Sequence, residues 1–172
     1  MATTQIENYD KAEQGRRVRV VNHSKFGGTT WKAPKVGFIK LNWDAALDER
    51  RQRMGFGFIA RDHEGNVITA MSGSIPNISC PSVAEALGAW KSVGMCLSLD
   101  FSKIILEGDA LEVVNALKKE GLYWCSYGIV VNDTKVLLST FREWEVSHTK
   151  RVGNVAAHEL AKLGLDRDED HV

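Results

Sequence analysis

From residue 36 onward, apolar and polar positions fall into a readable pattern. Residues 38–44, Phe-Ile-Lys-Leu-Asn-Trp-Asp, are mostly alternating and predict a strand. The charged run at 47–53 predicts a turn. Residues 54–61 predict a second strand, in which Gly55 and Gly57 permit another backbone to come close. A turn at 62–66 carries Gly65-Asn66, and residues 67–74 predict a third strand. Short connections join the three strands, so an antiparallel meander is expected.

At Pro81-Ser82 the period changes. Val83, Leu87, Trp90, Gly94 and Leu97 recur every three or four residues and predict a helix with one apolar face. Residues 103–107 predict a fourth strand. A helix over 110–119 should turn Val113, Val114 and Leu117 inward and stop near Gly121. Another helix is expected at 128–141, a fifth strand at 144–147 and a last helix at 154–163. This order describes a mixed α/β domain, with the fourth strand parallel to the first through a right-handed crossover. Residues 1–34 are polar and lack periodicity, which predicts a flexible tail; the domain is expected over 35–165, and the acidic stretch 166–172 is expected to be disordered.

Composition narrows the class without naming a function. A chain of 172 residues with 44% hydrophobic residues can bury the core of one domain. Lys+Arg and Asp+Glu are both 22, so no bulk charge draws the chain to nucleic acid or to acidic membrane. Nucleic-acid contacts must then come from local patches. Arg16, Arg17 and Arg19 make one basic cluster, readable as a phosphate contact, a nuclear signal or a solvated tail. Cys80, Cys96 and Cys125 form no C-x-x-C pair, which predicts free thiols and no zinc site. The start of the chain is polar and acidic, and no apolar run approaches a membrane span. A cytoplasmic or nuclear protein without membrane contact, and a monomer, is the expectation.

The candidate chemistry lies in three acids. Asp44 ends the first strand, Glu85 sits in the first turn of the first helix, and Asp109 follows the fourth strand, where Gly108 lets the chain turn. Strand ends and helix starts in such sheets collect at one edge, where ligands bind. Each acid alone has a plain structural reading: Asp109 as a helix cap, Glu85 as a favourable charge at a helix start, Asp44 as a turn residue. Together they would repel one another unless a cation stood between them. Carboxylates are the hard ligands that Mg²⁺ prefers, and phosphoryl-transfer enzymes use such clusters for paired metal ions.

The segments around these acids carry a resemblance. Lys40-Leu41-Asn42-Trp43-Asp44-Ala45-Ala46, Gly57-Phe58-Ile59-Ala60-Arg61-Asp62 with Gly65, Ala84-Glu85 and Ile105-Leu106-Glu107-Gly108-Asp109-Ala110 resemble the type 1 ribonuclease H fold. So does His148 followed by Arg151, Asn154, Ala157 and Leu160-Ala161. With Trp31-x-x-Pro34 ahead of the first strand, the set is most similar to the plant reverse-transcriptase-like branch of retroelements and stand-alone plant proteins. The resemblance implies a five-stranded mixed sheet, three antiparallel strands then two parallel ones, with helices on both faces. It implies Mg²⁺- or Mn²⁺-dependent cleavage of the RNA strand of an RNA–DNA hybrid by a two-metal mechanism. Asp44, Glu85 and Asp109 would hold the metals, and His148 would assist product release or proton transfer. Lys150, Arg151 and Asn154 are the candidate nucleic-acid contacts. The family's fourth acidic ligand falls at position 158, where this chain has His158. Imidazole can ligate a metal but is uncharged and softer than carboxylate, so a second metal should bind less tightly there. The long basic insertion of some members is absent, and a short aromatic stretch with Tyr123 and Trp124 takes its place, readable as a base-stacking surface or as packing. Two functions follow: a ribonuclease H-type endonuclease, or a non-catalytic nucleic-acid-binding module that kept the fold. A 3′–5′ exonuclease ranks below both, because the first strand lacks an Asp-x-Glu pair.

Overall fold

The computed structural model describes residues 31–166. Most of the expected tail, residues 1–30, and the acidic stretch after Asp166 lie outside the described residues. The elements run β1 Ile39–Asp48, β2 Arg53–Arg61, β3 Val67–Pro76, α1 Pro81–Ser98, β4 Lys103–Gly108, α2 Leu111–Lys118, α3 Gly128–Leu138, β5 Glu143–His148 and α4 Val155–Leu165. A short 3₁₀ turn, Arg151–Gly153, leads into α4.

The strands form one sheet in the order β3-β2-β1-β4-β5. The first three pair antiparallel, and β1–β4 and β4–β5 pair parallel, so the mixed five-stranded sheet read from sequence is the observed one. β1 runs further than its alternating pattern, through Leu47 and Asp48, because these residues pair with Met54 and Arg53. Cross-strand pairing outweighs the local charge. Only residues 49–52 turn, with the Asp48 carboxylate accepting from the Arg50 and Arg51 amides at 3.0 and 3.1 Å. α3 stops at Leu138, earlier than its pattern suggests. There the Ser139 and Thr140 hydroxyls donate to the carbonyls of Val136 and Leu137, each at 2.7 Å.

Register decides what each face carries. Trp43 pairs with Phe58 and Asp44 with Gly57, so neighbouring residues of β1 serve opposite faces. One face supplies Leu41, Trp43, Met54, Phe56, Phe58, Ile104 and Leu106, all fully buried, to the core beneath α1, α2 and α3. Burial of side chains of this size contributes roughly 1.5–3 kcal/mol each. As expected, Val113, Val114 and Leu117 of α2 turn inward. The buried face of α1 differs from the predicted one. It consists of Ala84, Ala86, Gly88, Ala89, Ser92, Val93 and Cys96, while Trp90 is 38% exposed and Val83, Leu87 and Leu97 are half-buried around it. At Gly88 the helix lies directly on β1: a Cβ there would already be in van der Waals contact with the Trp43 Cδ1 at 3.5 Å and the Asp44 carbonyl at 3.4 Å, which leaves little space for a longer side chain at that position.

α4 lies on the other face, across β1, β2 and β3. It comes close because two residues of β2 lack side chains. A Cβ on Gly55 would stand 2.1 Å from the Ala161 carbonyl oxygen, and one on Gly57 2.3 Å from the Ala161 amide nitrogen. The close backbone approach read from the two glycines is therefore met by the last helix. The indole N–H of Trp31 donates to Asn42 Oδ1 at 2.8 Å, and the Arg61 guanidinium lies 4.5 Å from the ring centroid. All three cysteines are free thiols, and burial pushes Cys96 up to about 12. Among the described residues no helix is long and apolar enough to cross a membrane.

Candidate metal centre

Asp44 sits within β1 and is fully buried, on the face covered by α4. Asp109 follows β4, beside Asp44, because β4 pairs parallel with β1 and Trp43 lies opposite Gly108. That glycine is required by contact: a Cβ there would enter the Trp43 ring at 2.5 Å. Glu85 enters from the first turns of α1, whose small-residue face seats the helix close over β1. The three acids offer carboxylate oxygens that all lie within 4.8 Å of one another. The three acids thus converge, although Asp44 lies in mid-strand rather than at the end of β1, because pairing with β2 carries the strand on through Asp48.

The side chains around them come from the turn before α4 and from α4 itself. Arg151 Nη1 donates to Asp44 Oδ1 and Oδ2 at 3.1 and 2.9 Å and to Asp109 Oδ2 at 3.0 Å. His158 Nδ1 lies 2.7 Å from Asp44 Oδ2. Asn154, 1% exposed, donates its amide to the Trp43 carbonyl at 2.8 Å and to Asp109 Oδ1 at 3.3 Å. Asn154 was expected at the nucleic acid; its amide instead faces inward and ties the turn to β1. Lys150 is exposed beside it. His148 ends β5 opposite Gly108, exposed, at the sheet edge where Asp109 emerges. Trp124 is 86% exposed, whereas Tyr123 is half-buried and packs at 5.8 Å on Tyr127.

The link between Arg151 and the acids was not anticipated. A signal was available, since 151, 154 and 158 are spaced three and four apart and so point one way along a helical path. A basic residue beside a lysine invites a phosphate reading instead, and only the fold shows that residue 151 begins the turn over Asp44.

Crowded acids behave unlike isolated ones. Burial, followed by the charges of Asp44 and Asp109, pushes Glu85 from an ordinary 4.5 to about 9. Asp44 is also raised, by burial first and then by Asp109, against the pull of Arg151 and His158. Glu85 Oε2 is buried and has no hydrogen-bond partner. An orphaned carboxylate oxygen among three clustered acids suits a divalent cation, because these hard oxygens repel one another until positive charge is supplied.

A pH dependence follows for the metal-free protein. Folded Glu85 holds its proton to about 9, whereas an unfolded glutamate releases it near 4.5. Its favourable contribution is therefore complete below about 4.5 and is lost as pH rises through 9. Wild-type protein in chelator should melt at a higher temperature at pH 5 than at pH 8, and Glu85→Gln should shrink that difference. Equal slopes for the two proteins, followed by circular dichroism, would contradict the assignment.

Comparison with known proteins agrees with this fold. Residues 42–164 match the family model described as reverse transcriptase-like, well over half of the chain, and the chain belongs to that family. RNase H1 from the halophilic archaeon Halobacterium salinarum is 21% identical, with a TM-score of 0.65 over 75% of this chain and 98% of its own. The N-terminal RNase H domain of a Mycobacterium tuberculosis protein is 18% identical, with a TM-score of 0.68 over 75% and 94%. LC11-RNase H1, isolated from compost and solved in complex with an RNA/DNA hybrid, is 15% identical, with a TM-score of 0.66 over 74% and 96%. At these identities the likeness establishes a ribonuclease H-like fold. No curated protein matches the chain.

Proposed function

We propose that this protein is a metal-dependent endonuclease that hydrolyses the RNA strand of RNA–DNA hybrids. The observation that carries the reading is the cluster of Asp44, Glu85 and Asp109, with oxygens within 4.8 Å and one of them buried without a partner. These three side chains would hold Mg²⁺ or Mn²⁺, which supplies activation of water and neutralisation of charge on a phosphodiester. Around that centre, Lys150 is exposed to meet a backbone phosphate, and Asn154 fixes the turn that carries it. His148 stands at the same edge, free to take part in proton transfer or product release. Support for a hybrid substrate comes from LC11-RNase H1, which shares the fold and was solved with an RNA/DNA hybrid. The segments resembling the plant retroelement branch support that lineage, and a monomeric cytoplasmic or nuclear protein is the matching expectation.

The deciding measurement is cleavage of an end-labelled RNA–DNA hybrid with Mg²⁺ and, separately, with Mn²⁺. Internal cuts in the RNA strand are expected, weakening as salt rises because phosphate contacts hold the substrate. No cutting with either ion at high protein concentration would leave the second reading, a binding module without catalysis. The observation favouring that reading is Arg151, which spans Asp44 and Asp109.

Position 158 gives a separate prediction. His158 Nδ1 meets Asp44 Oδ2 at 2.7 Å, where a carboxylate would add negative charge to the site. His158→Asp should raise Mg²⁺-supported cleavage severalfold over wild type. Unchanged activity in that variant, with Asp44→Asn inactive, would show that residue 158 lies outside the working metal site.

A further inference from the structure

The arginine at the acids bears on how many cations the centre can take. Arg151 Nη1 faces three oxygens of two acids, both of Asp44 and Oδ2 of Asp109, at 2.9 to 3.1 Å. That is the placement of a bridging cation. His158 adds a second nitrogen to Asp44 Oδ2 at 2.7 Å. Both oxygens of Asp44 are thus engaged from the α4 side, while Glu85 Oε2, on the α1 side, has no partner.

The position of Arg151 is also built. The Asn154 amide N–H donates to the Arg151 carbonyl at 3.0 Å, and the Asn154 side chain is tied to Trp43 at 2.8 Å. Gly153 closes the turn onto the Lys150 carbonyl at 2.8 Å. A half-exposed guanidinium is therefore carried on a backbone anchored to the strand that holds Asp44. On the side where it sits, the next residue able to ligate is an imidazole, and the acidic cluster among the described residues contains only Asp44, Glu85 and Asp109. A second divalent ion on that side would meet a fixed positive charge and one carboxylate fewer than two ions require.

We propose that this chain binds one divalent cation, between Asp44, Glu85 and Asp109, and that Arg151 and His158 occupy the place of a second. Arg151 then serves as a built-in counter-charge for Asp44 and Asp109. The inference rests on the metal-dependent reading above and replaces the two ions that the family resemblance implies with one ion plus an arginine.

Mn²⁺ titration of the full chain at low ionic strength, with free Mn²⁺ followed by electron paramagnetic resonance, tests this without an activity assay. Wild type should take up one ion per chain. Arg151→Gln should bind that ion about tenfold more tightly, since a neighbouring positive charge is removed. The double variant Arg151→Gln, His158→Asp should take up a second ion, and Arg151→Lys should stay at one. Circular dichroism shows which variants are folded, and the wild-type stoichiometry decides even if one of them is not. Two ions of comparable affinity in wild type would overturn the inference and leave the metal-dependent reading standing. No binding at millimolar Mn²⁺ would overturn both. An unchanged affinity in folded Arg151→Gln would likewise refute the counter-charge role.

Discussion

Asp44→Asn is expected to lower hybrid cleavage by at least about a thousandfold, which corresponds to about 4 kcal/mol of transition-state stabilisation. Asp44 is the acid that both Arg151 and His158 address. It is fully buried, paired to Arg151 at 2.9 Å, bonded to His158 at 2.7 Å and grouped with Glu85 and Asp109. Asparagine keeps its shape but loses the charge and one acceptor oxygen. The fold should survive, because burial and Asp109 already oppose the charge on Asp44 and a neutral side chain relieves that cost. Single-turnover cleavage beside a thermal melt separates the two effects. More than a tenth of wild-type activity in a folded variant would remove Asp44 from the catalytic centre.

Gly57→Ala should be among the most damaging single-methyl changes in the described residues. The added carbon would stand 2.3 Å from the Ala161 nitrogen, 2.5 Å from Leu160 Cβ and 2.6 Å from the Ala157 oxygen. Two of those atoms are helix backbone and cannot rotate aside, so α4 must lift from the sheet. A loss of about 3 kcal/mol or more is expected, a fall in Tm of roughly 10 °C. Activity should fall further than stability alone explains, since α4 and its preceding turn carry His158, Asn154 and Arg151 to the acids. Gly94→Ala is the matched control: a Cβ there meets nothing within 4 Å, and alanine favours a helix by about 1 kcal/mol. A Gly57→Ala melt within 2 °C of wild type would mean, by the same conversion, that α4 yields at little cost.

The sheet was readable because its cues are local: alternation, turn residues and the change of period at Pro81. Glu85 and Asp109 were readable for the same reason, since each sits where one element gives way to another, whereas Asp44 lies in mid-strand. What escaped depends on partners distant in sequence. Leu47 and Asp48 join β1 because of Met54 and Arg53, which their charged neighbours conceal. The face of α1 was misjudged because large apolar residues were taken as inward-facing, while the buried face is made mostly of small residues lying close over β1. Arg151 read as a phosphate contact because nothing nearby in the chain announces that its turn folds back over Asp44, 107 residues earlier.

The pairing of Trp43 with Phe58 and Asp44 with Gly57 has a further consequence. Strand faces alternate with every residue, so a hairpin misaligned by one position would send Asp44 into the oily interior and Trp43 into the acidic centre. Such a molecule would lose its core and its ligands in one error. On the proposed metal-dependent reading, cation uptake would double as a quality test for any preparation: the fraction of chains that titrate with Mn²⁺ would count the fraction whose first hairpin closed in the correct alignment.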